Sequence, residues 1–149
     1  MEIRKIAGIA PDDRAAVDEA FAGIEPLPVA CCNWPAEFPY APEVSFRMFH
    51  TGDWLMLRFD VAERYTTLPC GEPFAERAGD NRWSLTLAIP PQALFRHALT
   101  DWSGLKARMN LYKSGDNLSH PHFLSWRPIR TEKPDFHRPE FFGEVTFEK

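Results

Sequence analysis

Glu43-Val-Ser-Phe-Arg-Met-Phe-His50, Thr51-Gly-Asp53 and Trp54-Leu-Met-Leu-Arg-Phe-Asp-Val-Ala62 read as strand, turn and strand. Val44, Phe46 and Met48 share one side of the first run, and Leu55, Leu57 and Phe59 one side of the second, which is the period-two pattern of half-buried strands. A short connection containing Gly52 suits a hairpin.

Moving outward, Arg82–Ile89 alternates in the same way, with Trp83, Leu85, Leu87 and Ile89 in register, so Trp83 is expected in the core. Pro90-Pro91 ends that strand and opens a short helical turn. Lys106–Lys113 and Pro121–Trp126 form a further pair across Ser114-Gly-Asp-Asn117, with Trp126 also facing the core, and Gly143–Phe147 supplies a last strand. Thr66–Asp80 has no periodicity and reads as a loop. Upstream, Asp12 and Asp13 precede Arg14–Ile24, where Val17, Phe21 and Ile24 recur at helical spacing, and this is the one substantial helix. Five prolines between Glu25 and Pro42 predict an extended segment anchored by Trp34, Phe38 and Tyr40, with a short strand near Val29–Cys32. Six or seven strands without intervening helices indicate an all-β antiparallel sandwich with a short N-terminal helix, one domain over residues 1–149.

The chain has 44% hydrophobic and 26% charged residues, the balance of a folding globular protein. Its net charge of −4 gives no field for gathering phosphates, so nucleic acid is not expected as a partner. No apolar run is long enough for a signal peptide or a membrane span, and a cytoplasmic location is expected. Cys31, Cys32 and Cys70 fit neither a disulfide framework nor a CxxC metal pair and read as reduced thiols. GxSxG, HExxH, P-loop and GxGxxG patterns do not occur, so neither an enzyme nor a cofactor is expected.

Asn110-Leu-Tyr-Lys-Ser-Gly-Asp116, Pro121-His-Phe-Leu-Ser-Trp-Arg-Pro128 and Pro134-Asp-Phe-His-Arg-Pro-Glu-Phe-Phe-Gly143 resemble the carbohydrate-binding family 9-like proteins of the DOMON-like, jelly-roll-like β-sandwiches. Asn33-Trp34, Pro42–Phe46, His50–Asp53 and Arg82–Ser84 extend that resemblance over nearly the whole chain. It implies a non-catalytic domain for a mono- or oligosaccharide. In such proteins the strand equivalent to the one ending at Val61-Ala-Glu63 is followed by a central block carrying one of two sugar-clamping aromatics. Here Arg64–Thr67 runs straight into Leu68-Pro69, so the chain resembles an abbreviated member in which that half of the clamp is missing. The other half matches Phe136. A lost block would also bare sheet edges, and a homo-oligomer formed through them is expected.

Phe136 between Asp135 and His137 offers a ring for a sugar's C–H face with polar groups at its side. Asn110, Lys113, Asp116, Arg138 and Glu140 are candidates for hydroxyl contacts, although such residues also satisfy turns and surface pairs. His120, His122 and His137 form a weak zinc-ligand candidate, against the ordinary reading of packed or hydrogen-bonded histidines. Ser125, with histidines upstream and Asp135 downstream, superficially resembles a triad but sits within a strand. The alternatives are therefore a small glycoside-acting hydrolase using Asp135, His137 or Glu140, or an oligomeric scaffold without a small ligand.

Overall fold

The computed structural model describes residues 1–67 and 76–149. In chain order the elements are β1 (Glu2–Lys5), α1 (Arg14–Ala22), β2 (Leu27–Pro28), β3 (Cys31–Cys32), β4 (Glu43–His50), β5 (Leu55–Thr67), β6 (Glu76–Ile89), β7 (Lys106–Met109), β8 (Tyr112–Ser114), β9 (Phe123–Ser125) and β10 (Gly143–Phe147). Single 3-10 turns cover Pro91–Ala93 and Pro139–Phe141. The large sheet runs β6-β5-β4-β1-β10-β7, with β2 beside β4, and the small sheet runs β3-β9-β8.

The β4–β5 hairpin forms in the expected register, Val44 opposite Val61 and Met48 opposite Leu57. Its turn closes through Thr51 N–H to Trp54 O at 2.9 Å, and Gly52 supplies a φ of +98° that other residues rarely adopt. Val44, Phe46, Met48, Leu55, Leu57 and Val61 face the core, where they meet Val29, Leu111 and Leu124. On the opposite face α1 lays Val17 and Phe21 on Phe49 and Met56, with the two phenyl rings edge to face at 5.0 Å. Asp13 caps this helix by accepting the Ala16 N–H at 3.1 Å.

Several expectations change. Ten strands are present among the described residues, not six or seven. β1 is parallel to both of its neighbours, β4 and β10, so the sandwich is not wholly antiparallel. Its sequence gives little warning, because only Ile3 of the four residues is buried. The expected 66–80 loop contributes Thr66-Thr67 to β5 and Glu76–Asp80 to β6, while residues 68–75 of it, with Cys70, lie outside the described residues. The expected strand Lys106–Lys113 breaks at Asn110 and Leu111, where the chain leaves the large sheet for the small one.

Trp83 is not a core residue. It lies opposite Val61 on the inward-facing side of the sheet, but β6 is the sheet's edge and the indole remains 38% exposed. Leu85 and Leu87 follow it along the strand at 43% and 37% exposure. Trp126 is half-buried against the core, edge to face with Phe46. Among the described residues no helix is long and apolar enough to cross a membrane.

Candidate functional site

The arms of β5 and β6 carry the inward face of the large sheet past the core to the turn that joins β8 to β9. Two positions beyond Val61 that face presents Glu63, whose side chain is 2% exposed. A buried carboxylate needs a partner. Lys113 on β8 provides it, placing Nζ 2.9 Å from Glu63 Oε2, while the Trp83 indole N–H donates to Oε1 at 2.7 Å. Burial pushes the Glu63 carboxyl up, but the bonds from Lys113 and Trp83 and the neighbouring ammonium outweigh it and hold it below the usual 4.5.

The same ammonium stands 2.8 Å from Nε2 of fully buried His122. Burial, then the Lys113 charge, lowers the His122 pKa from its ordinary 6.5. Because an ammonium only donates, Nε2 is the acceptor, and Nδ1 carries the proton toward His120 O at 3.2 Å. Gly115 lets the turn close on this ring, since a Cβ there would lie 2.2 Å from His122 Cε1.

A bulge interrupts the β5–β6 register between Glu63 and Tyr65. Gly79 takes a φ of +150° there, and the Asn81 amide donates to Arg77 O at 3.2 Å and Arg64 O at 3.3 Å. Beyond the bulge the Tyr65 ring stacks on His120 at 4.0 Å, and Tyr40 stands edge-on to both histidines. Glu76 ties the start of β6 to the other wall by accepting from Ser119 N–H and Oγ–H, each at 2.7 Å.

Between these walls lies a cavity of about 390 Å³ lined by Glu63, Trp83, Lys113, Asp116 and Asn117 among others. An indole pinned at its nitrogen but open to solvent, beside a buried ion pair and short polar side chains, offers an apolar platform together with donors and acceptors.

Of the residues singled out in the sequence, Lys113 and Asp116 are brought to this cavity. Asn110 is not. Its Oδ1 accepts from the N–H groups of Leu111 and Arg127, each at 2.9 Å, and its amide donates to Arg127 O at 3.1 Å, so it is spent on the corner between the sheets. Phe136 stacks on Tyr112 at 4.3 Å and 13°, and the Tyr112 hydroxyl donates to Phe136 O, which occupies one ring face. Asp135 accepts the His137 N–H at 2.9 Å, and Arg138 pairs with Glu140 and, at 3.9 Å, with Asp135. These four residues form their own turn and do not line the cavity.

The three histidines are not assembled as ligands. His120 stacks on Tyr65, both nitrogens of His122 are engaged, and His137 is exposed. Among the described residues no group of three His, Cys, Asp or Glu side chains is placed to hold a metal ion. Ser125 Oγ is wholly buried, donating to Arg127 O at 2.6 Å and accepting from the Asn33 amide at 2.8 Å.

Sequence reasoning passed over Glu63 and assigned Trp83 to the core. The available signal was a carboxylate in an inward position, two residues after Val61 in an alternating strand, which needs a buried partner.

The architecture is that of a two-sheet β-sandwich domain with a cavity where the sheets diverge. The profile of carbohydrate-binding family 9 matches residues 15–71 and 64–147. A crystal structure of a candidate carbohydrate-binding protein from Bacteroides uniformis ATCC 8492 is similar over 99% of this chain and 98% of its own, with a TM-score of 0.87 and 29% identity. No curated protein matches. The chain belongs to carbohydrate-binding family 9. The two matched segments overlap at residues 64–71.

Proposed function

We propose that this chain is a non-catalytic saccharide-binding domain in which one sugar unit rests on Trp83 and hydrogen-bonds Lys113 and Asp116. The observation that carries this reading is the indole of Trp83, held at 2.7 Å by buried Glu63 and still 38% exposed at the cavity. Phe136, the ring indicated by the family resemblance, has one face taken by Tyr112. Stacking on an open ring face with polar groups at its edge is how pyranoses are held.

Glu140 and Glu63 do not have the raised pKa of a glycosidase's acid. A glycosidase needs one carboxyl kept protonated near neutral pH, whereas the hydrogen bond from Arg138 lowers the pKa of Glu140, and Glu63 is lowered as well.

The test is an NMR titration of mono- and oligosaccharides against wild type, Trp83→Ala and Phe136→Ala, with sugar turnover followed in parallel. Saturable shifts around Lys113 and Asp116 that weaken at least tenfold, about 1.4 kcal/mol, in Trp83→Ala alone support the reading. Loss in Phe136→Ala alone moves the site to the C-terminal turn, and product formation replaces binding with catalysis.

A second reading has its own observation. Trp83, Leu85 and Leu87 form an exposed row on the unpaired edge strand β6, and natural proteins pair or cover such edges. A second copy of the chain is the occupant proposed here, bound through β6.

A further inference from the structure

A separate cleft of about 570 Å³ shares no lining residue with the Trp83 cavity and is lined by Arg127, Arg130, Phe141, Phe142 and Gly143 among others. Arg127 is fixed from two sides. Its backbone N–H donates to Asn110 Oδ1 at 2.9 Å, and its carbonyl accepts from the Asn110 amide at 3.1 Å and from Ser125 Oγ at 2.6 Å. Its guanidinium lies 4.2 Å from the Trp126 ring centre. The stem fits where β10 has no side chain, since a Cβ on Gly143 would sit 2.6 Å from Arg127 Nε.

This held guanidinium has no counter-ion among the described residues. Among the described residues neither Arg127 nor Arg130 has a carboxylate within ion-pair distance. Glu140, which borders the cleft, is committed to Arg138, and Glu144 is the remaining acid among the lining residues. Two unpaired guanidiniums against one carboxylate make the cleft locally positive in a chain of net charge −4. Arg127 is exposed, and its planar guanidinium, resting on an indole, presents a donor fork that matches the paired oxygens of a carboxylate or sulfate.

We propose that this cleft is a second binding site, for the acidic group of a saccharide, with the oxyanion on Arg127, added attraction from Arg130, and Phe141 and Phe142 as an apolar wall. The inference rests on the reading of the chain as a saccharide binder, but it uses none of the residues of the Trp83 cavity.

The experiment titrates D-glucuronate, its methyl ester, acetate and D-glucose against wild type, Arg127→Gln, Gly143→Ala and Trp83→Ala, following amide and Arg Nε–H signals by NMR. Arg127→Gln keeps the backbone bonds to Asn110, and Gly143→Ala drives a Cβ into the Arg127 stem. Glucuronate is expected to shift the Arg127 Nε–H and Gly143 signals saturably, with ester and acetate each at least tenfold weaker. Both cleft variants should lose that response and leave glucose shifts at the Trp83 cavity unchanged, while Trp83→Ala does the reverse. Equal affinity for acid and ester, equal affinity for acetate and glucuronate, or an unchanged response in Arg127→Gln overturns the proposal. Glucose binding without acid preference removes this inference alone. Silence toward glucose with retained glucuronate binding removes the Trp83 reading alone.

Discussion

The Lys113 ammonium stands 2.8 Å from His122 Nε2 and 2.9 Å from Glu63 Oε2, so one cation fixes both the protonation of a buried imidazole and the charge of a buried carboxylate. The arrangement works only with His122 neutral, because an imidazolium has no lone pair to offer an ammonium.

Acid should therefore weaken the fold in two stages. His122 and His50 are both wholly buried with pKa values lowered from 6.5, first by burial. The unfolded chain takes up these protons at higher pH than the folded one, so their contribution is complete above 6.5 and falls as pH drops toward the folded values. Glu63, depressed from 4.5, adds a second loss below 4.5 by the same sign. Urea midpoints measured from pH 8 to pH 4 should decline from about pH 6.5 downward, and the His122 ring signal should not titrate until pH is below 6.5. A ring that titrates at or above 6.5 would contradict the neutral assignment.

Breaking the ion pair from one side should cost more than removing it whole. Lys113→Met leaves the Glu63 carboxylate buried without its cation, a loss of about 3–5 kcal/mol. Adding Glu63→Gln should recover part of that loss, which urea denaturation of the single and double variants measures. With Glu63→Gln measured alone as well, a double variant whose loss equals the sum of the two single losses would show the pair to be energetically idle.

Gly115→Ala should be destabilising by about 1–3 kcal/mol through overpacking, because the new methyl lies 2.2 Å from His122 Cε1. The displaced ring should also lose its Lys113 contact, visible as a changed His122 nitrogen shift. An unperturbed His122 spectrum in this variant would mean that the turn moves instead.

If β6 pairs with a second copy, its exposed row should govern assembly. Sedimentation at micromolar protein is expected to give a dimer for wild type and a monomer for the Leu85→Lys, Leu87→Lys double variant, with unchanged circular dichroism. A monodisperse wild-type monomer would exclude this pairing.

The hairpin from Glu43 to Ala62 was legible because one face meets the core and the other meets α1 or water, so the alternation is written into side-chain type. Trp83 shows the limit of that reading. Period two places it on the correct side of β6, but whether a second layer covers that side depends on how far the small sheet extends, which no local pattern encodes. Lys113 was recognised as a polar candidate, whereas its partners come from β5 and from the residue just before β9, and only the sandwich brings three such positions together. Asn110 and Phe136 carried a recognisable motif whose visible work is to turn the chain between sheets and to seal a loop onto Tyr112.

β1 links two blocks of the large sheet, lying between β4 and β10 with Lys5 opposite His50 and Ile3 opposite Phe147. Closing so long a loop is entropically slow. The β4–β5–β6 block is built from neighbouring segments and can form early, yet it joins β10 and β7 only after contacts from far-separated parts of the chain have met. Folding is thus expected to finish at β1, and a shortened chain lacking β1 would leave one side of β4 as an open template for other chains, while one lacking β10 would leave one side of β1 so.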